Sequence, residues 1–475
     1  MITKPRTASS DELATTVPGT GFSRAAVLEL SHAKNEPAWM RDFRLAAWDI
    51  YERTPMPDRR QEEWRRTDIR ALDMESFAPY SLNTRRASTP KELPAGVRGI
   101  VAKSVGGKGT DDGGLLVQYD SLVSYLQLAD ELRQQGVIFV DLDTAVRDYP
   151  DLVRENFMTQ CVKPDNDKFT ALHAALWSGG SFVYVPESVE VTLPLRAAFW
   201  LSRPGLGLFA HTLLVADKWS QVTYIDEYLS PAASNGSASA DGVSTKQGFN
   251  AGVVEVLAGE GAQVRYMHLQ QFGQNVWNFT TERAILRRDS SVNFLQVGLG
   301  SKLTKANVQS LLAGPGSSAE MLGIYFASSE QHIDHHTLQD HQAPHTMSDL
   351  LYKGAVKDVA RSVYAGLIHV RPGAQRADAY QNNRNLMLSS EGRADSIPQL
   401  EIEANDVRCT HGATAGPLDQ EEVFYLQSRG LPRPEAERLI VEGFFQPVVE
   451  RVPLASVRDR LNKAIAEKIT TRGSN

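Results

Sequence analysis

Gly261-Ala-Gln-Val264, Asp289-Ser-Ser-Val292, Gly316-Ser-Ser-Ala319 and Gly373-Ala-Gln-Arg376 decide the fold. Each places a small or turn-forming residue at a tight corner before a strand-like run. Counted between fourth residues, the first two intervals are 28 and 27 residues, and the third is 57, close to two such periods. A corner and a strand repeating at near-constant period read as a β-solenoid, in which each coil pairs with the coils before and after it. Between the corners lie Phe182-Val-Tyr-Val185, Val189-Glu-Val-Thr-Leu193, Val222-Thr-Tyr-Ile225, Val253-Val-Glu-Val-Leu257, Val264-Arg-Tyr-Met267 and Val292-Asn-Phe-Leu295. Helical periodicity is nearly absent from about 168 to 415. A β-sandwich is the competing arrangement, but it needs hairpin turns of the Asn-Gly or Asp-Gly kind, which are scarce here.

Outward from this core the pattern changes. Residues 1–20 read as a mobile polar terminus, and residues 21–165 as an N-terminal helical and mixed region. Within it Phe43, Ala47, Trp48 and Tyr51 share one helical face, and Pro55 and Pro57 end that helix. Strands are expected at Leu115–Tyr119 and Gly136–Asp141. The β core spans 166–417, with a low-complexity polar insertion near 230–248. Residues 418–475 form a C-terminal helical region. One helix there opens near Pro434, its length limited by Pro447, and a last one starts near Ser456. The order helix, solenoid, helix predicts that helices cap the open ends of the solenoid.

Composition narrows the function. The chain has 475 residues, 42% hydrophobic, with a formal net charge of -7. That charge gives no case for nucleic-acid binding. Two cysteines, Cys161 and Cys409, make no disulfide framework and fit a reducing cytosol. The first residues lack the apolar stretch of a signal peptide, and no run reaches the roughly 18 apolar residues of a membrane span. A soluble cytoplasmic protein is expected. Nucleotide-binding motifs are absent, so any ATP hydrolysis belongs to another subunit.

Two places carry metal-ligating residues. His332, His335, His336, His341 and His345 crowd into one segment with Asp334 and Asp340. On a strand His332, Asp334 and His336 share a face while His335 and His341 lie elsewhere. The segment therefore reads either as a structural polar ladder or as a metal site. Cys409 and His411 stand on alternate residues of a strand and point the same way. Thiolate and imidazole are ligand types of iron–sulfur clusters, yet two ligands hold no cluster, so a second chain must complete any such site. Cys161 reads as structural.

The stretch Gly366–Gly430 resembles the core domain shared by the SufB and SufD proteins of the SUF iron–sulfur cluster assembly machinery. It includes Gln381-Asn-Asn-Arg-Asn-Leu-Met-Leu-Ser389, Pro398-Gln-Leu-Glu-Ile-Glu403 and Cys409-Thr-His-Gly-Ala-Thr414. Phe169–Gly180, Val183–Pro186 and the histidine-rich 332–345 extend the resemblance to roughly 36–450. Glu36-Pro-Ala-Trp39, Glu62-Glu-Trp-Arg-Arg-Thr67 and the missing cysteine in 381–389 resemble the SufD branch.

The resemblance implies a right-handed parallel β-helix flanked by N- and C-terminal α-helical regions. It implies a non-catalytic scaffold that pairs with a SufB-like β-helix protein and docks a SufC-like ABC ATPase. No cofactor would be stably bound by the isolated chain, and a homodimer is possible when it is alone. His411, with Cys409, would face a transient iron–sulfur cluster at the SufB interface. Phe424, Tyr425, Arg429, Leu439, Phe444 and Phe445 are the candidate ATPase contacts. The competing readings are a secreted-type β-helix polysaccharide lyase or hydrolase and a stand-alone histidine-cluster metalloenzyme.

Overall fold

The computed structural model describes residues 15–16, 19–83, 87, 89–93, 98, 112–231 and 247–470. The mobile terminus expected at 1–20 and the insertion expected near 230–248 lie almost wholly outside them. The chain is mainly β. Strands alternate between two ten-stranded sheets, so that each coil contributes one strand to each sheet. From Leu195–Trp200 to Arg408–Pro417 one sheet is entirely parallel, and so is the other from Ser181–Val185 to Arg393–Ile402. This excludes the antiparallel sandwich. The strand expected at Val189–Leu193 is instead a loop joined to the ladder by an isolated Glu190–Gln221 bridge, with Val191 buried in the core.

The corners account for the period. Trp219, Gly261, Asp289, Gly316, His345 and Arg376 all take positive φ, each two residues before a strand of one sheet. His345 is the corner missing from the sequence pattern between 319 and 376. Their backbones bond coil to coil: Gly261 N–H to Arg288 at 2.9 Å, Asp289 to Pro315 at 3.0 Å, and His345 to Gln375 at 2.9 Å. Asp tolerates this left-handed backbone, and Gly meets it without steric cost.

Four layers result. Between the sheets run in-register columns such as Tyr224, Tyr266, Phe294, Met321 and Leu350, all buried. Outside the sheet that carries His332–His341 lies the N-terminal region. There Ala47, Trp48, Trp64, Phe169 and Trp177 share a core with Phe249 and Phe279 of the strands. Outside the other sheet lie the helices Arg433–Val449 and Ala455–Thr470. They pack Val441, Phe445, Val448 and Leu461 on Leu322, Ile324 and Leu351. Burying an aromatic or aliphatic side chain of this kind contributes about 1.5–3 kcal/mol.

The helices thus cover the flanks of the solenoid, correcting the expectation that they cap its ends. A helix is amphipathic along its length, and only the broad sheet faces offer a matching apolar stripe. The first end is closed instead by antiparallel strands, Leu122–Leu128 on Gly114–Tyr119 and Ile138–Asp141 on Ser181–Val185. Among the described residues the far end has no such closure. No helix among the described residues is long and apolar enough to cross a membrane.

Candidate functional site at the open end of the solenoid

Strands Arg393–Ile402 and Arg408–Pro417 are the last of their sheets. Among the described residues each pairs on one side only, which leaves its other edge free. Arg408 N–H bonds to Ala377, so residues 408, 410, 412, 414 and 416 face the preceding coil. The backbone groups of Cys409, His411, Ala413 and Ala415 therefore point to the free edge. In the other sheet Arg393 N–H bonds to Ala360, which turns 394, 396, 398, 400 and 402 outward. Pro398 sits in that outward set and offers no N–H, so this edge is interrupted at its centre.

Cys409 and His411 stand on the free strand in the sequence-predicted relation. Cys409 continues the interior column of Ser348 and Ala379, and His411 continues that of Leu350 and Gln381. Side chains two apart on a strand lie about 7 Å from each other. Cys409 packs against Ile368, Val370 and Ala379 and is half-buried, whereas His411 is exposed because no further coil covers it. Burial raises the Cys409 thiol above its ordinary pKa, and Asp378 adds to this. It rests as a thiol until a metal or a cationic partner lowers that pKa. Among the described residues no group of three metal-ligating side chains includes either residue. As metal ligands these two alone would be too few to hold an ion or a cluster.

The histidine-rich segment divides as its spacing predicts. His332, Asp334 and His336 face outward and dock the N-terminal region. Thr67 Oγ1 lies 3.0 Å from His332 Nε2 and also donates to Asp334. Lys305 Nζ lies 2.7 Å from Asp334 and 2.6 Å from His336 Nε2. Against the burial that would raise it, Lys305 and His336 hold the Asp334 carboxyl far below the usual range. An ammonium group occupying this centre leaves no place for a cation. His335 and His341 face the interior, His341 between Thr346 and Ser348 at 2.7 and 2.8 Å. His345 is a corner. The segment is a structural ladder.

Of the C-terminal candidates, Phe424 is 73% exposed and Tyr425 56% exposed, and Arg429 and Leu439 also face solvent. The helix Gln420–Ser428 buries only Val423. Phe444 is half-buried, with Lys353 Nζ 4.7 Å from its ring. Phe445 is fully buried against Phe326, which places it in the core and off the exposed face. Cys161 is buried and donates to the Arg283 carbonyl at 3.1 Å, a structural residue as read.

Two clusters escaped sequence reading because their members are far apart in the chain. His173, His211 and Glu255 form a buried chain, with His173 Nε2 to His211 Nδ1 at 3.0 Å and His211 Nε2 to Glu255 at 3.1 Å. Burial lowers His211 to about 3 and raises Glu255 to about 8. Glu255 accepts the Met158 and Val162 N–H groups and so ties the loop after helix Pro150–Asn156 to the solenoid. The second cluster, His369 with Glu401 and Glu403, lies on the outer face near the open end. Only the coil period brings its members together.

The family description "SUF system FeS cluster assembly, SufBD core domain" matches residues 199–444, and "SufBD protein N-terminal region" matches 29–197. An iron–sulfur cluster assembly SufBD family protein of Staphylococcus epidermidis is 33% identical over 444 residues, covering 91% of this chain and 90% of its own. Similarly named proteins of Staphylococcus haemolyticus and Staphylococcus aureus are each 32% identical at the same coverage. By its two matched regions and these relatives, the chain belongs to the SufBD family of iron–sulfur cluster assembly proteins.

Proposed function

We propose that this chain is a non-catalytic scaffold of the SufD type within a cytoplasmic SUF complex. It pairs edge to edge with a SufB-like β-helix protein through its open coil. The observation that carries this reading is the free strand Arg408–Pro417, which presents unpaired backbone groups beside Cys409 and His411. A strand from a second solenoid would continue the ladder, and its ligands would complete the set that Cys409 and His411 begin. The iron–sulfur cluster is cargo at this seam, held while it forms and then passed on.

The absence of a cysteine from Gln381–Ser389 supports the SufD type over the SufB type. A SufC-like ATPase would dock on the exposed face of Phe424, Tyr425, Arg429 and Leu439, and Phe445 behind it would anchor the helices to the sheet. Family membership favours neither the secreted lyase nor the stand-alone histidine metalloenzyme. His411→Ala in cells that depend on this pathway tests the cluster role. Impaired maturation of iron–sulfur enzymes at an unchanged level of folded chain is expected, and unimpaired maturation removes His411 from the mechanism.

A further inference from the structure

On the outer face of the sheet ending in Arg393–Ile402, the register stacks Asp340, His369 and Glu401 on three successive coils. One step along, Glu403 donates its backbone N–H to Val370 at 2.9 Å, which fixes it beside Arg371. Ligand atoms of His369, Glu401 and Glu403 all lie within 4.8 Å of one another. His369 Nε2 is shielded from water and has no hydrogen-bond partner among the described residues. The Glu403 carboxylate is 3.6 Å away, beyond hydrogen-bond length. An unpaired nitrogen shielded from water is unfavourable and calls for a partner. Arg371 attracts both glutamates but gives its hydrogen bonds to Asp340, at 2.9 and 3.2 Å. Two carboxylates and an unpaired imidazole nitrogen thus converge, with no salt bridge from a Lys or Arg of the described residues to either carboxylate.

We infer that His369, Glu401 and Glu403 bind a first-row divalent metal ion on the outside of the solenoid, at a site separate from Cys409 and His411. One imidazole with two carboxylates suits ferrous iron, manganese, cobalt or zinc and is a poor set for copper(I), which prefers sulfur. Bound ligand atoms stand about 2.0–2.2 Å from such an ion. The exposed Glu401 and Glu403 can close the small remaining gap by rotamer change, while the strands hold His369. Asp340 Oδ1, 4.0 Å from His369 Nδ1, sits on the far side of the ring and favours the orientation that aims Nε2 outward. Asp340 is a positioning residue in this account. The separation from Cys409 and His411 follows from topology: those two face the interior of the other sheet, so the outer ion stays bound whether or not a partner chain covers the open end.

Anaerobic titration of the full chain with Co²⁺, followed by its visible absorption, tests the site. A saturable band at one ion per chain is expected. Glu403→Gln and Glu401→Gln should each weaken binding at least about tenfold, a loss typical of damage to a metal site. His369→Ala should abolish the band, while His411→Ala leaves it unchanged. Thermal melts of the ion-free variants show whether each is folded, and the exposed Glu403→Gln secures the test if His369→Ala melts early. Absence of the band in the parent chain, or equal binding by folded Glu403→Gln, overturns the inference.

Discussion

At the residue scale, two phenylalanines of the C-terminal region have opposite roles. Phe445 fills the space between its helix and Phe326, so Phe445→Ala should destabilise the chain by about 3–5 kcal/mol in urea unfolding. Phe424 touches little, and Phe424→Ala should change stability by less than about 0.5 kcal/mol while weakening capture of an ABC ATPase subunit. Unchanged capture would remove Phe424 from the docking face. His341 sets a pH dependence. Burial, opposed by Asp340, lowers its pKa to about 4, whereas the unfolded chain takes up the proton near 6.5. The stability that His341 contributes is therefore complete above about 6.5 and declines as pH falls towards 4. Burial shifts His335 and His332 the same way, also to about 4. His341→Gln can keep bonds to Thr346 and Ser348 without titrating, so its melting temperature should fall less steeply across this window. An identical slope would show that His341 is not among the groups responsible.

At the element scale, the two free edges are unequal. Pro398 interrupts one, and the other presents Cys409, His411, Ala413 and Ala415 without interruption until Pro417. Ala413→Pro removes one outward N–H and leaves the ladder to Asp378–Met387 intact, because 413 does not donate to that strand. The variant should fold with a stability close to the parent's and lose co-purification with a SufB-like partner. Retained pairing would mean that the partner meets another surface. The strands and their period were legible in the sequence because corners recur with little insertion. His345 hid one corner, since a histidine at positive φ carries no turn signal of its own. The expected strand at 189–193 failed because β-prone residues form a strand only where a neighbouring coil offers a partner. Helix placement was not legible: amphipathic stripes show that a helix packs on something, not whether that is a flank or an end.

At the scale of the whole molecule, the solenoid is closed at one end by antiparallel strands, walled on both faces by helices, and open at the other end. On the proposed function, Cys409 and His411 are legible as half of a site because their spacing is local and two ligands are too few for a cluster. That proposal puts the other half on a partner chain, whereas the cluster of His369, Glu401 and Glu403 needed the coil register to appear. On the proposed function the open coil is the pairing edge. Backbone hydrogen exchange across 408–417, in the isolated chain and in complex with a SufB-like β-helix protein, tests it most directly. The amides of Cys409, His411, Ala413 and Ala415 should exchange fast in the isolated chain and become protected in the complex. The alternate amides should be protected in both. Fast exchange at 409, 411, 413 and 415 in a fully formed complex would contradict the account.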